Sequence, residues 1–115
     1  MPSSGLLGPF ALTPEAIAAE IEPLVIGVYL LGRLKGKRFF VRRVGRADRD
    51  TAAELRALVS QYDAFKYRAY GSTRRAFAKE CELFHTFAPP ETMAHPIRPR
   101  GTKFMCPVAS CPEAE

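Results

Sequence analysis

The sequence lacks any Lys or Arg before Arg33, and it lacks a long uninterrupted apolar run. A secretory signal needs a basic segment followed by an apolar one, and a membrane-spanning helix needs about 20 predominantly apolar residues. Apolar runs in the early part of the chain are interrupted by Pro9, Pro14, Glu15, Glu20, Glu22 and Pro23. We therefore expect a cytoplasmic protein without a targeting segment and without a membrane partner.

Cysteine is also scarce. The chain has three cysteines, Cys81, Cys106 and Cys111. An odd number of cysteines in a chain without an export signal favours thiols or metal ligands over a disulfide framework. A small fold held together by disulfides is therefore not expected.

Positive charge is concentrated in the middle of the chain. Between Arg33 and Arg75 there are thirteen Lys or Arg residues against four Asp or Glu residues. This concentration suggests a polyanionic partner, with nucleic acid as the first candidate, whereas a solvated basic surface is the alternative. The candidate nucleic-acid contacts are Arg42, Arg43, Arg46, Lys66 and Arg68.

Two strands joined by a basic turn form the centre of the predicted fold. Residues 25–31 are almost continuously apolar, which is typical of a strand buried on both faces. Residues 39–45 return beside it as the second strand of a hairpin. Gly27 and Tyr29 share one face of the first strand, so we expect open space beside the phenol.

Helix and strand signals continue on both sides of this hairpin. Thr13 is a good cap for a first short helix, and Thr51 with Glu54 has the spacing of a capping box for a second one. Alternation over residues 65–70 predicts a third strand with a basic outer face, and a third helix is expected over about residues 73–87. The pattern predicts an α/β or α+β layer domain, with a small three-stranded sheet covered by helices.

The chain thus divides into three segments. Residues 1–12 are rich in Ser, Gly and Pro and are expected to be flexible. Residues 13–87 hold the domain, because 115 residues support one compact core and are too few for two. Residues 88–115 form a Pro- and Cys-rich tail, in which the prolines exclude regular structure.

Cysteine and histidine recur at the end of the third helix and in the tail. Cys81 and His85 are one helical turn apart, and His95, Cys106 and Cys111 follow. Four of these five side chains can satisfy a tetrahedral Zn²⁺, which would pin the irregular tail. The alternative is that Cys81 is core packing and His85 a surface residue.

The third helix carries a carboxylate in the middle of its apolar face. Glu80 lies at the centre of an arc of about 120° on the helical wheel. The arc consists of Ala76, Phe77, Leu83, Phe84 and Phe87. Burying an unpaired carboxylate costs on the order of several kcal/mol, so Glu80 needs a cation, a metal or a strong hydrogen-bond partner. Perturbed carboxylates concentrate at functional sites, whereas an ion pair with Arg43 or Arg56 is the structural alternative.

These residues together resemble the GIY-YIG nuclease domain, over about residues 25–87. The matching positions are Gly27-Val28-Tyr29, Arg43-Val44-Gly45, an arginine on the next helix (Arg56), and Glu80 after Ala76-Phe77-Ala78-Lys79. The resemblance implies hydrolysis of DNA phosphodiester bonds with Mg²⁺ or Mn²⁺ and without a small-molecule cofactor. It also implies that Tyr29 activates or orients the attacking water, that Arg56 stabilises the phosphate and that Glu80 binds the divalent ion.

Arg43 departs from this pattern, because the second motif of the family opens with a tyrosine. The missing hydroxyl is then expected from elsewhere, with Tyr67 and Tyr70 as candidates. Two other functions stay open: a domain that binds DNA without cutting it, in which Arg43 adds phosphate affinity, and a protein-interaction module whose basic face meets an acidic partner. The pattern makes no prediction about oligomeric state.

Overall fold

The computed structural model describes residues 4–92, 94–108 and 111. In chain order the elements are β1 (Leu7–Ala11), α1 (Pro14–Glu20), β2 (Ile26–Lys35), β3 (Arg38–Ala47), α2 (Thr51–Arg56), β4 (Ala64–Tyr70) and α3 (Thr73–Phe87). The four strands form one antiparallel sheet in the order β1-β4-β2-β3. The architecture is α+β, with helices packed on both faces of the sheet.

The prediction of three strands is wrong, because β1 adds a fourth strand at the edge of the sheet. β1 pairs antiparallel with β4, and its register shifts between Leu7 and Phe10. Gly8 and Pro9 lie within that shift, and these residues suggested a flexible segment over residues 1–12. Proline and glycine are tolerated in an edge strand, where one side of the backbone needs no partner.

The predicted hairpin is present and is longer than expected. β2 and β3 pair from Gly27 opposite Ala47 to Lys35 opposite Arg38. Gly36 forms the turn with a φ of +62°, a conformation that favours glycine. β2 lies between β3 and β4, as its continuous apolar sequence predicts.

Side chains of β2 alternate between two separate cores. Val28 and Leu30 pack towards α3, whereas Tyr29 and Leu31 pack towards α1 and α2. Neighbouring positions of one strand point to opposite faces of a sheet. The arginines of β3 therefore also lie on different faces of the sheet. Arg43 is opposite Leu31, on the face of α1 and α2, and Arg46 is opposite Val28, on the face of α3.

Each helix begins at a side chain that caps it. The side-chain oxygens of Thr13, Asp50 and Ser72 each accept a hydrogen bond from the backbone N–H three residues later. The second cap is Asp50 and not Thr51. No helix in the described residues is long and apolar enough to cross a membrane.

Thr51 fills the space that was expected beside Tyr29. Its hydroxyl donates to the backbone oxygen of Val25 over 2.8 Å. A Cβ on Gly27 would lie 2.5 Å from Oγ1 of Thr51. Gly27 therefore admits the start of α2, which fills the space on that side of β2.

Residues 91 and 92 of the tail bond to the free edge of β3. In the part of the tail that the structure describes there is no helix or strand. The N–H of Glu91 donates to the oxygen of Arg42 over 2.9 Å, and the N–H of Val44 donates to Oγ1 of Thr92 over 3.0 Å. The tail thus covers backbone groups that an edge strand otherwise leaves unpaired.

Candidate functional site

The ring of Tyr29 lies across Gly45, its partner on β3. A Cβ on Gly45 would lie 2.5 Å from Oη and 2.6 Å from Cε1 of Tyr29. Both separations are far below an ordinary van der Waals contact. Gly45 therefore lets the phenol reach over β3 towards the free edge of the sheet.

The hydroxyl of Tyr29 stays protonated at neutral pH. Burial raises the pKa of Tyr29 far above its ordinary value, and the negative charge of Glu54 adds to the rise. The positive charge of Arg43 opposes it only in part. Tyr29 can therefore donate a hydrogen bond to a bound group, but it cannot act as a phenolate base.

Glu80 is buried on α3, as its pattern predicts, and its partner is Arg46. Nη1 of Arg46 lies 2.6 Å from Oε1 of Glu80, and the two side chains are only 10% and 11% exposed. Nε of the same guanidinium lies 2.6 Å from Oδ1 of Asp48. The partners suggested by the sequence, Arg43 and Arg56, do not form this ion pair.

Arg46 contacts both Glu80 and Asp48, and its positive charge does not fully compensate the burial of the Glu80 carboxylate. Burial is the largest cause that raises the pKa of Glu80, to about 7, and the neighbouring charges of Asp48 and Glu54 add to it. The charge of Arg46 and its hydrogen bond act in the opposite direction. Glu80 can therefore exchange a proton near neutral pH, which is a property of catalytic carboxylates.

Arg43 lies on the Tyr29 side of β3, next to the hydroxyl of Tyr62. Tyr62 donates to Oε1 of Glu91 over 2.7 Å. Arg43 itself forms no ion pair with any carboxylate of the described residues. Its guanidinium therefore keeps donors available for an anion from solution.

Tyr62 is the site residue that the sequence pattern missed. It lies beyond α2, which ends at Arg56, and the backbone turns before it at Ser60, which has a φ of +81°. The two tyrosines suggested in its place are engaged elsewhere: Tyr67 donates to the backbone oxygen of Glu20, and Tyr70 packs in the opposite core. No periodic signal marks the turn that brings Tyr62 to β3.

α2 contributes a carboxylate to this region, and its arginine lies apart. Arg56 is exposed in the last turn of the helix. Glu54 is the α2 residue whose charge raises the pKa of both Tyr29 and Glu80. Burial and the nearby charge of Asp48 raise the pKa of Glu54 itself. The side chains near the phenol are thus richer in carboxylates than the sequence suggested.

Of the other predicted nucleic-acid contacts, Arg42 lies beside this group, and Lys66 and Arg68 lie on β4. Arg42 forms an ion pair of 2.8 Å with Glu91. Lys66 and Arg68 lie on β4, on the face that α3 covers. Arg68 is exposed and borders a shallow groove together with Arg75.

A shallow, open cavity of about 370 Å³ lies at the free edge of β3. Its walls include Arg43, Arg46 and Glu80 from the domain, and Glu91 and His95 from the tail. No protein-family model, curated protein or solved structure matches this chain. The function is therefore inferred from the chemistry of this cavity and of the groups beside it.

Four side chains that can bind a metal lie next to this cavity. They are His85, at the end of α3, and His95, Cys106 and Cys111 in the tail, and their ligand atoms all lie within 4.8 Å of one another. Cys81, the fifth candidate, is outside this set. It is buried in a small cluster with Cys106 and Cys111, and burial raises the pKa of its thiol.

Proposed function

We propose that this chain is a metal-dependent DNA endonuclease whose phosphodiester substrate enters the cavity at the edge of β3. One observation carries the proposal. Arg43, an arginine that forms no ion pair with a carboxylate within the described residues, and Glu80, a carboxylate with a pKa of about 7, face the same cavity. A phosphate needs the first group for binding, and its hydrolysis needs a group of the second kind.

Arg43 is the phosphate-binding residue of this proposal. Its planar guanidinium can donate two parallel hydrogen bonds to phosphate oxygens, which fixes the orientation of the scissile group. The protonated phenol of Tyr29 lies near Arg43 and can donate to a water molecule or a phosphate oxygen. The hydroxyl of Tyr62 also lies near Arg43 and, because it donates to Glu91, can accept a hydrogen bond from a water molecule. In this arrangement Arg43 replaces the tyrosine of the second motif, and Tyr62 restores a hydroxyl.

The carboxylates fit a hard divalent cation. Only Oε1 of Glu80 binds Arg46, and Asp48 and Glu54 lie close enough to raise the pKa of Glu80. Mg²⁺ and Mn²⁺ prefer oxygen ligands, so Glu80 would hold the ion and the other two acids would favour its charge. The ion would supply stabilisation of negative charge on the phosphate.

The end of the hairpin offers a second contact for DNA. The ring of Phe40 is 41% exposed. The charged groups of Lys35 and Arg38 lie 5.9 Å and 5.5 Å from its centroid. An exposed ring between two cations suits a nucleic-acid backbone with a base stacked on the ring. Binding is then expected to weaken steeply with salt, because phosphate contacts release counterions.

A second function is favoured by the ion pair at the centre of the site. Arg46 holds Oε1 of Glu80 at 2.6 Å, and an arginine stands where the nuclease motif has a tyrosine. Both features suit a domain that binds DNA without cutting it. Arg43 would then serve affinity alone.

Cleavage assays distinguish the two functions. Native protein is incubated with plasmid, branched and flapped DNA in the presence of Mg²⁺ or Mn²⁺, beside the variants Glu80→Gln, Tyr29→Phe and Arg43→Gln. The nuclease proposal predicts that native protein cuts at least one substrate. It also predicts that Glu80→Gln and Tyr29→Phe still bind DNA in a gel-shift assay but cut at least about 100-fold more slowly, as expected for groups that act in the transition state.

Arg56→Gln is the matched control. It removes the same charge as Arg43→Gln, but from an exposed position on α2. We expect Arg43→Gln to lower cleavage strongly and Arg56→Gln to leave it nearly unchanged. The opposite result would return the phosphate-binding role to Arg56, as the resemblance implies. Binding without cleavage of any substrate by native protein would favour the second function.

A further inference from the structure

The tail and the end of α3 together form a candidate metal centre that is separate from Glu80. His85 comes from the last turn of the helix, and His95, Cys106 and Cys111 come from three different parts of the tail. All four ligand atoms lie within 4.8 Å of one another. Their ligand atoms are therefore close enough together to bind one ion.

The distance between two of these ligand atoms matches tetrahedral zinc. Sγ of Cys106 lies 3.6 Å from Nε2 of His85. A tetrahedral Zn²⁺, with bonds of about 2.3 Å to sulfur and about 2.0 Å to nitrogen, separates two such ligands by about 3.5 Å. The two imidazole rings also face one region, with centroids 5.4 Å apart. Cys106 and His85 are therefore spaced like two ligands of one zinc ion.

The hydrogen bonding of His95 supports the same conclusion. Its Nδ1 lies 2.9 Å from the backbone oxygen of Pro96, which can only accept, so Nδ1 carries the proton. Nε2 therefore presents a lone pair, and this buried atom has no hydrogen-bond partner in the described part of the chain. Zinc-binding histidines characteristically donate their other ring N–H to a carbonyl or carboxylate in this way. A metal ion supplies the partner that Nε2 lacks.

We propose that His85, His95, Cys106 and Cys111 bind one structural Zn²⁺ that fastens the tail to α3. Two thiolates and two imidazoles are a complete ligand set, with no position left for water or substrate, which is the arrangement of structural zinc. Phe77 and Phe104 pack around the cysteines and keep them from solvent. Cys81 lies behind the ligands as a packing residue.

The position of this centre gives the ion a further effect. His95 belongs both to the ligand set and to the wall of the cavity that holds Glu80. Nearby, Thr92 bonds to β3 and Glu91 bonds to Tyr62. Zinc would therefore hold the wall of the cavity in place. The proposal itself does not depend on nuclease activity.

The test is the zinc content of the full chain, purified without chelators and measured by atomic spectroscopy. We expect one Zn²⁺ for each native chain and much less in Cys106→Ser and His95→Ala. The matched control is Cys81→Ser, a buried thiol next to the set, which is expected to keep its zinc. Affinity for the ion, measured by competition with a chromogenic chelator, is expected to fall by at least about tenfold in the ligand variants.

Two further measurements keep the result clear if a buried variant fails to fold. His85 is exposed at the end of α3, so His85→Ala changes the ligand set with little effect on packing. Co²⁺ added to metal-free native protein is expected to give the intense visible bands of tetrahedral cobalt and a thiolate charge-transfer band. Native protein without zinc and without these bands refutes the proposal, as does equal loss of zinc from Cys81→Ser and Cys106→Ser. Neither readout requires DNA.

Discussion

The raised pKa of Glu80 predicts how the stability of this protein changes with pH. The folded chain holds a proton on Glu80 up to about pH 7, whereas the unfolded chain releases it near 4.5. Between these values the folded state binds more protons than the unfolded state, so stability falls as pH rises. The stabilising contribution is complete below the unfolded pKa and is lost as pH passes through about 7.

The magnitude follows from the same values. A pKa that rises from 4.5 to about 7 corresponds to about 3 kcal/mol, at about 1.4 kcal/mol for each pH unit. The Glu80 side chain is only 11% exposed, so solvent screening reduces this figure little. The pKa of about 7 already reflects the positive charge of Arg46, which lowers the pKa of Glu80.

Glu80→Gln is the perturbation that isolates this effect, because glutamine has the shape of the protonated acid and cannot ionise. Urea unfolding of native and variant chains is measured from pH 5 to 8.5 by circular dichroism. The free energy of unfolding of the variant, minus that of the native chain, is expected to rise with pH by up to about 3 kcal/mol. Other groups titrate in both chains and cancel in the difference.

Glu82→Gln provides the control. Glu82 lies on the same helix, its side chain is 57% exposed, and its ion pair within the described residues is with Lys79 at 3.8 Å. The change with pH caused by Glu80→Gln is expected to exceed the change caused by Glu82→Gln, because solvent screens an exposed carboxylate. A flat difference for Glu80→Gln would refute the reasoning. The reasoning would also be refuted if the free energy of unfolding of Glu80→Gln, minus that of the native chain, fell with pH. The ion pair with Arg46 would then affect the pKa of Glu80 more than burial does.

Three further predictions concern the elements that position the site. Gly45→Ala places a Cβ 2.5 Å from Oη of Tyr29 and is expected to lower the free energy of unfolding in urea by about 1–3 kcal/mol. The loss should largely disappear when Tyr29 is also changed to Ala. An equal loss with and without Tyr29→Ala would argue against the contact. Asp50→Ala removes the cap of α2 and is expected to cost about 1 kcal/mol, whereas no change in thermal or urea unfolding would contradict the cap. Removal of zinc with a chelator is expected to lower the melting temperature and to open residues 89–108 to proteolysis, while unchanged digestion would show that the tail is held without the ion.

Several features of the fold follow from the sequence because they rest on local signals. Three sequence patterns predict elements that are present: the apolar run of β2, the alternation of β4 and the apolar stripe of α3. The burial of Glu80 follows from its place in that stripe. Periodicity and capping act within a few residues, so a single sequence reveals them.

The remaining features depend on contacts between distant parts of the chain. β1 is stabilised by pairing with β4, and its Gly8-Pro9 reads locally as a loop. Arg46 pairs with Glu80, which lies 34 positions later in the sequence, and no local sequence pattern predicts that the two side chains meet. Tyr62 reaches Arg43 because the backbone turns at Ser60. Tertiary packing decides such contacts, and local propensity does not.

The cavity at β3 is completed by a part of the chain that is made after the sheet. Glu91, Thr92 and His95 follow the four strands and α3 in the sequence. These later residues close one wall of the cavity and contribute little to the two cores of the sheet. Changes in residues 91–97 can therefore reshape what the cavity accepts while the sheet beneath it stays folded.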